Sequence, residues 1–201
     1  MINRNRELGN ILGIDPGFRH IGYSICGLTE TGELIPKKMG VIVSNPPKNS
    51  TETKSKQNLD RIRFIHDELN RIIEKNNIRV ICVESMSFPR NASAAAKMAM
   101  CWGTIGSLAE IHNLEVHQAS PQKIKRHITK LNKASKKEVE DALNAKFKRI
   151  EGIVSILPDI ASGITPSLQN HAYDSLAATV TLVESLHPLD LVYGHARCLR
   201  K

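Results

Sequence analysis

Two short apolar runs in this sequence each end in a single carboxylate, and this repeated pattern constrains the fold more than any other feature. The first run, ILGID, ends at Asp15 and is followed at once by Pro16 and Gly17, and the second, RVICVE, ends at Glu84. Apolar runs of this length that stop at a turn signal are typical of buried strands. Open α/β sheets bind their ligands at the carboxyl ends of such strands, so Asp15 and Glu84 are predicted to lie at a functional edge.

The segments around these runs predict how the strands connect. Residues 21–25 and 34–43 form two further strands, and Pro36 favours an edge position for the second of them. Short links between three consecutive strands predict an antiparallel meander. Residues 44–56 are polar and predict a loop, whereas apolar residues recur at helical spacing over residues 59–76. Because that helix leads into the Glu84 strand, a right-handed parallel crossover beside the Asp15 strand is predicted.

If these two strands are neighbours, their terminal acids face each other across a distance that one or two metal ions can bridge. A third acid, Asp174, lies in a predicted helix over residues 171–186, with His171 one turn before it on the same face. Three separated acids at the ends of buried elements predict a divalent-metal site. Each acid taken alone is more simply a cap or turn residue, and a lone histidine before a helix is more often a structural group.

The second half of the chain predicts small-residue and basic helices. Residues 92–112 are rich in Ala, Met and Gly, which favours close packing in the core and leaves a dimer interface open. A short strand over residues 114–117 precedes a basic helix that begins at Ser120-Pro121. The sequence SKKE at residues 135–138 predicts a capping box at the start of the next helix. Lysines at these helix starts are expected to contact phosphate, the alternative being a solvated charged face.

Length, charge and cysteine spacing favour a single-domain protein with a polyanionic partner and no membrane span. The 201 residues carry a formal charge of +8 and are most simply one domain over residues 1–201, with a core over about 11–186. That charge favours a polyanionic partner, although many basic proteins bind none. The four cysteines lack ligand spacing, which predicts buried free thiols in a reducing compartment. No apolar stretch approaches the ~20 residues of a membrane span, so a soluble cytoplasmic protein without a membrane partner is expected.

Four motifs in this order resemble those of the bacterial RuvC Holliday-junction resolvases, which belong to the RNase H-like superfamily. The segments at residues 13–23, 83–92, 120–139 and 171–177 are similar to the first, second, basic and closing motifs of that family. The resemblance covers residues 11–186. It implies an α/β, RNase H-like fold with a five-stranded mixed sheet, made of a three-stranded antiparallel meander plus two parallel strands and flanked by helices.

The resemblance also implies a Mg²⁺-dependent endonuclease that nicks four-way or otherwise branched DNA in recombination and repair. Two ions about 3.5–4 Å apart would activate water and stabilise the leaving oxygen, with Mn²⁺ able to substitute for Mg²⁺. Asp15 is expected to bridge the ions, and Glu84 and Asp174 to bind one each. His171 is expected to ligate a metal or to move a proton. A homodimer is expected, because symmetric nicking of two opposed strands requires two active sites.

The resemblance assigns DNA contacts as well. Phe88 is expected on the rim of the acidic site, where it would stack on an unpaired base; the alternative is a core position under the Ala-rich helix. Family members often carry a second aromatic where this chain has Ser87, and the loop before His171 is longer here, which indicates a divergent or phage-type member. The expected DNA-binding residues are Arg19, Phe88, Arg90, Lys125, Arg126 and Lys136.

Two other functions stay open at this point. An actin-like phosphotransferase also opens on a strand with a carboxylate and a glycine, but it needs glycine-rich phosphate loops in both halves and a longer chain. A non-catalytic module that binds branched DNA would gain nothing from acids placed beside phosphates, so the intact Asp15, Glu84 and Asp174 argue against it. A metal-dependent nicking assay on synthetic four-way junctions separates the three.

Overall fold

The computed structural model describes residues 7–46, 51–86, 91–148, 155–187 and 191. Within these residues the chain forms five strands, six α-helices and one short 3-10 turn. In chain order they are β1 Glu7–Asp15, β2 His20–Thr29, β3 Leu34–Val43, α1 Lys54–Lys75, β4 Ile78–Glu84, α2 Ala92–Ile111, β5 Glu115–Ala119, α3 Pro121–Thr129, α4 Lys136–Lys146, α5 Leu157–Ala161, the 3-10 turn Pro166–Leu168 and α6 Gln169–Ser185.

The five strands form one mixed sheet in the order β3-β2-β1-β4-β5. β1, β2 and β3 pair antiparallel, whereas β4 runs parallel to both β1 and β5. The predicted meander plus two parallel strands is therefore confirmed, and β3 lies at the edge that Pro36 indicated. Ile14 of β1 pairs with Val83 of β4, so the acids that follow them, Asp15 and Glu84, leave the sheet side by side.

Helices cover both faces of the sheet and divide the core in two. One cluster joins β1 residues such as Ile11 to α3, α4, α5 and the nearly fully buried helix α6. The other joins the alternate β1 residues Leu12 and Ile14 to Ile65 of α1 and Ile105 of α2. Because successive side chains of a strand point to opposite faces, β1 contributes to both clusters and forms the centre of the fold.

The helix starts follow local signals in the sequence. Ser120 caps α3 with Pro121 at its first position, and Ser135 and Glu138 form the predicted capping box of α4. The start of α1 differs from the prediction, because the helix begins at Lys54 instead of near residue 59. Its first turn is polar, is capped by Thr53 and faces solvent, so hydrophobic spacing could not reveal it.

Two expectations from composition can be compared with the structure. Cys26, Cys82 and Cys101 are free and buried, while Cys198 lies outside the described residues. Burial raises the pKa of the Cys26 thiol to about 12 and that of Cys101 to about 11, so these groups remain unreactive thiols at neutral pH. No helix among the described residues is both long and apolar enough to cross a bilayer.

Candidate active site at the carboxyl end of the sheet

The four residues predicted to form the site line one pocket of about 320 Å³. Asp15 and Glu84 come from the ends of β1 and β4, and His171 and Asp174 come from the first turns of α6. The structure thus brings together side chains that are up to 159 positions apart in the chain. Further lining residues include Pro16, Gly17, His20, Ile124, Lys125, Lys136 and Val139.

Glycines in the sheet allow α6 to come this close. Gly22 of β2 pairs directly with Asp15, and a Cβ at Gly22 would overlap the carbonyl oxygen of His171 and lie 2.9 Å from the backbone nitrogen of Ala172. The φ angle of Gly22 is not in the left-handed region, so the glycine is required here for space alone. The missing side chain lets the start of α6 rest on the sheet beside Asp15, and it thereby sets the position of His171.

Asp15 and His171 form a direct pair. The Nδ1 atom of His171 lies 2.8 Å from Oδ2 of Asp15, and both side chains are largely buried. When Nδ1 donates its hydrogen to the carboxylate, the neutral imidazole keeps Nε2 as a proton acceptor or metal ligand. The ring of His20 lies 5.4 Å from that of His171 between centroids. Burial first, and the charge of His171 second, lower the pKa of His20.

The carboxylates of the pocket repel one another. Burial and the charges of Asp15 and Asp174 raise the pKa of Glu84 to about 7. Burial and the charge of Asp15 likewise raise the pKa of Asp174, although Lys136 and His171 act in the opposite direction. A site in which acids raise each other's pKa values gains free energy from a bound cation, because the cation favours the charged form of each acid.

Lys136 already supplies part of that positive charge. Its ammonium lies 3.2 Å from Oδ2 of Asp174, while 59% of its side chain stays exposed at the rim of the pocket. Lys125 also lines the pocket and lowers the pKa of Glu84. Two of the residues expected to contact DNA are therefore placed beside the acids.

The four predicted metal ligands are gathered in one pocket but are not arranged around a common centre. Among residues 7–46, 51–86, 91–148, 155–187 and 191, no three His, Cys, Asp or Glu side chains converge as a metal site would require. Lys136 contacts Oδ2 of Asp174, so this ion pair must open before that oxygen binds a metal, whereas Asp15 can accept a hydrogen bond from His171 and still offer lone pairs to a cation. The donor set itself, with three carboxylates, one imidazole and no thiolate, fits a hard divalent cation.

Two more of the predicted DNA-binding residues, Arg126 and Arg19, are described by the structure and do not line the pocket. Arg126 lines a separate groove of about 690 Å³ on α3, together with Lys123 and Lys130. Arg19 is exposed just after Gly17, and its Nε donates to Oδ1 of Asn45 at 3.3 Å. Phe88 and Arg90 fall outside the described residues. Sequence reasoning missed His20 as a lining residue, since a lone histidine that opens a strand carries no local signal.

Comparison with known proteins identifies relatives across most of the chain. The family described as crossover junction endodeoxyribonuclease RuvC matches residues 11–181. The RuvC of Pseudothermotoga lettingae is 28% identical over 134 residues, which cover 66% of this chain and 76% of that protein. The RuvC of Treponema pallidum is 28% identical over 189 residues, or 93% and 84% of the two chains. The fold resembles that of T. thermophilus RuvC solved in complex with a Holliday junction substrate, with a TM-score of 0.64, 21% identity and coverage of 86% and 92%.

Proposed function

Because the chain belongs to the crossover junction endodeoxyribonuclease RuvC family, we propose that it is a metal-dependent endonuclease that nicks four-way DNA junctions in its acidic pocket. The observation that carries the proposal is the meeting of Asp15, Glu84, His171 and Asp174 in one pocket bordered by lysines. Acids hold the metal ions that phosphodiester hydrolysis needs, and lysines attract the phosphates that approach them.

We assign the binding of the metal to the three carboxylates, with Asp15 between Glu84 and Asp174. When bound, Mg²⁺ would make hydroxide available at neutral pH and offset the charge on the departing oxygen. Mg²⁺ suits an all-carboxylate set because it prefers oxygen ligands, and Mn²⁺ should substitute for it. The pKa of Glu84, raised to about 7 by burial first and by the charges of Asp15 and Asp174 second, supports this assignment, since a bound cation would favour the charged form of that acid.

We assign His171 a role in proton transfer or metal ligation through Nε2. The contact of Nδ1 with Asp15 fixes the plane of the imidazole, so the second nitrogen has a defined direction. An imidazole can take a proton from water or return one to a leaving oxygen.

The basic residues would hold the substrate. Lys125 and Lys136 at the rim would contact phosphates next to the cleaved bond, and Arg126 in its groove would contact a more distant part of the junction. Phe88 and Arg90 remain proposed contacts at the branch point. A homodimer would supply the second active site for the opposed strand, and work on chromosomal or phage DNA would place the protein in the cytoplasm.

The proposal is tested with end-labelled synthetic four-way junctions, cut in the presence of Mg²⁺, Mn²⁺ or chelator. Asp174→Asn should lower the cleavage rate about 100-fold or more, since loss of even an indirect metal contact costs 10- to 100-fold. Its junction affinity, measured in Ca²⁺, should remain within a few-fold of the parent. Asp67→Asn is the matched control, because Asp67 is an exposed acid of α1 that does not line the pocket. Parental cleavage by Asp174→Asn would exclude the pocket as the active site, and tight binding without any nicking would favour the non-catalytic module.

A further inference from the structure

Three cationic side chains meet at the loop that follows Asp15. The guanidinium of Arg61, from α1, stacks on the ring of Phe18 with its Cζ atom 4.1 Å from the ring centroid. The ammonium of Lys97, from α2, lies 5.7 Å from the same centroid. Arg19 follows Phe18 directly in the chain, and its charge lowers the pKa of Arg61. We call Arg19, Arg61 and Lys97 the loop-side basic patch.

The position of Arg61 is fixed by neutral partners. Its Nη2 donates to the carbonyl oxygen of Phe18 at 3.1 Å, and its Nε lies 3.3 Å from Oγ of Ser44. Ser44 in turn donates to the same carbonyl of Phe18, and its backbone nitrogen donates to the carbonyl of Arg19 at 2.9 Å. These contacts use only part of the five N–H donors of the guanidinium.

The patch carries positive charge that the described residues do not balance. Within residues 7–46, 51–86, 91–148, 155–187 and 191, no carboxylate forms an ion pair with Arg19, Arg61 or Lys97. After burial, the leading influence on the pKa of Arg61 is repulsion from Arg19. Like charges held together in this way favour an anion, and a guanidinium whose plane is fixed by stacking is well suited to the oxygens of a phosphate.

The patch also lies on the side of the site that the lysines leave uncovered. Lys125 and Lys136 come from α3 and α4, which pack on the α6 face of the sheet. Arg61 and Lys97 come from α1 and α2, which pack on the opposite face. Gly17 of the acidic pocket is separated from Arg19 by Phe18 alone, so basic groups border the acids from both faces of the sheet.

We propose that Arg19, Arg61 and Lys97 bind the phosphodiester backbone of the substrate strand on the flank opposite to Lys125 and Lys136. A strand whose cleaved phosphate reaches the acids must leave the pocket in two directions, and each direction then meets cations. This inference rests on the proposed function, because it extends the path of the DNA that the acidic pocket cuts. Arg61 and Lys97 were not among the residues that the sequence indicated, since each occupies an ordinary polar position of a helix.

The first test measures junction binding in Ca²⁺ over a range of salt concentrations. Arg19→Ala and Lys97→Ala should each weaken binding about threefold or more near 0.1 M salt and lower the salt slope by about one. Lys75→Ala is the matched control, since it removes one charge at the far end of α1 and should change neither quantity beyond the general effect of net charge. If Arg19→Ala and Lys97→Ala behave as Lys75→Ala does, the proposal is wrong.

Arg61 needs a second comparison, because its contacts also hold the loop after Asp15. Arg61→Lys and Arg61→Ala are compared for melting temperature and junction binding. The proposal requires that Lys97→Ala, which breaks no hydrogen bond of the loop, lose affinity without a change in melting temperature. If only the Arg61 variants lose affinity, and they lose melting temperature in parallel, the cluster is a clamp for the loop and the proposal is overturned.

A final measurement separates the two flanks and the two proposals. Single phosphates on either side of the cleaved bond are replaced by neutral methylphosphonates. Lys97→Ala and Lys125→Ala should each become insensitive to a different substitution, on opposite sides of the bond. Insensitivity to the same substitution would contradict the opposed flanks. If the parent protein binds junctions through the patch but never nicks them, the proposed role of the patch stands and the catalytic proposal is wrong. If it nicks junctions but the patch variants bind them normally, only the proposed role of the patch is wrong.

Discussion

The α6 face of the sheet and the face covered by α1 and α2 are packed in different ways. On the α6 face, Gly13 and Gly22 leave no room for a side chain, because a Cβ at either position would overlap atoms of α6. The hydroxyls of Thr179 and Thr181 on that helix are fully buried and donate to carbonyls one turn earlier, at 3.2 and 2.8 Å. The backbone of α6 therefore lies directly against β1 and β2 at these two glycines.

The opposite face is covered by side chains instead of by close backbone contacts. Ile65 and Ile105 fill its interior, while Gly103 and Gly106 lie on the exposed side of α2, where a Cβ would meet nothing within 4 Å. Large apolar side chains also remain on its outer surface, with Phe64 exposed to 44% and Ile111 to 64%. The comparison shows that the closest contact between a helix and the sheet is made by α6, the helix that brings His171 and Asp174 to Asp15 and Glu84. Helices α1 and α2 stabilise the sheet but supply none of the side chains that line the acidic pocket.

Gly22→Ala is expected to have the largest effect, on both the cleavage rate and the unfolding free energy. The new methyl group must push the backbone of His171 away from the sheet, and misplacement by ~1 Å can cost on the order of 100-fold in rate. Overpacking should also cost about 1–3 kcal/mol of unfolding free energy. Junction affinity should stay within a few-fold of the parent, because no predicted phosphate contact is removed. Cleavage close to the parental rate would show that the site tolerates a shift of α6.

A smaller effect is expected from Gly13→Ala, which meets the middle of α6 instead of its start. The methyl group would overlap Oγ1 of Thr179 and Oγ of Ser24, which can adjust in part, and it would also lie 2.5 Å from the carbonyl oxygen of Ser175, which cannot move without the helix. A loss of about 1–3 kcal/mol is expected in denaturant unfolding. The double variant with Thr179→Ala should recover part of that loss, because the two positions share one contact. If the double variant loses as much unfolding free energy as the sum of the two single variants, the strain does not come from the contact between the new methyl group and Thr179.

The smallest change in unfolding free energy, a gain instead of a loss, is expected on the exposed side of α2. Gly103→Ala and Gly106→Ala should each raise the unfolding free energy by about 0.5–1 kcal/mol, since alanine favours a helix interior and space is available. The rate of junction cleavage should not change. Sedimentation of each variant provides the check on the comparison: a weakened dimer would mean that a second copy covers these glycines in the assembly.

The sequence predicted most of the sheet, because the signals for it are local. The apolar runs that end in Asp15 and Glu84 predicted β1 and β4 as parallel neighbours, and SKKE at residues 135–138 predicted the start of α4. The close approach of α6 also has a signal in the sequence, since glycine inside a strand often marks a site where another backbone comes near, as it does at Gly13 and Gly22.

Pairings of side chains across the fold had no such signal. The contact between His171 and Asp15 joins positions 156 apart in the chain, and it depends on how closely the start of α6 packs against the sheet. The stacking of Arg61 on Phe18 joins two elements that sequence periodicity treats separately. Periodicity identifies the face of a helix, but it does not identify which polar residue at the border of that face turns inward.

The ion pair between Lys136 and Asp174 has a consequence for the order of events at the site. One ammonium serves two anions poorly, so a DNA phosphate that attracts Lys136 loosens its hold on Asp174. By reciprocity, whatever neutralises Asp174 releases the lysine and strengthens its grip on the DNA. Loading of the carboxylates and arrival of the substrate thereby promote each other. We expect a protein with this arrangement to be least ready to cut when no DNA phosphate lies beside Lys136.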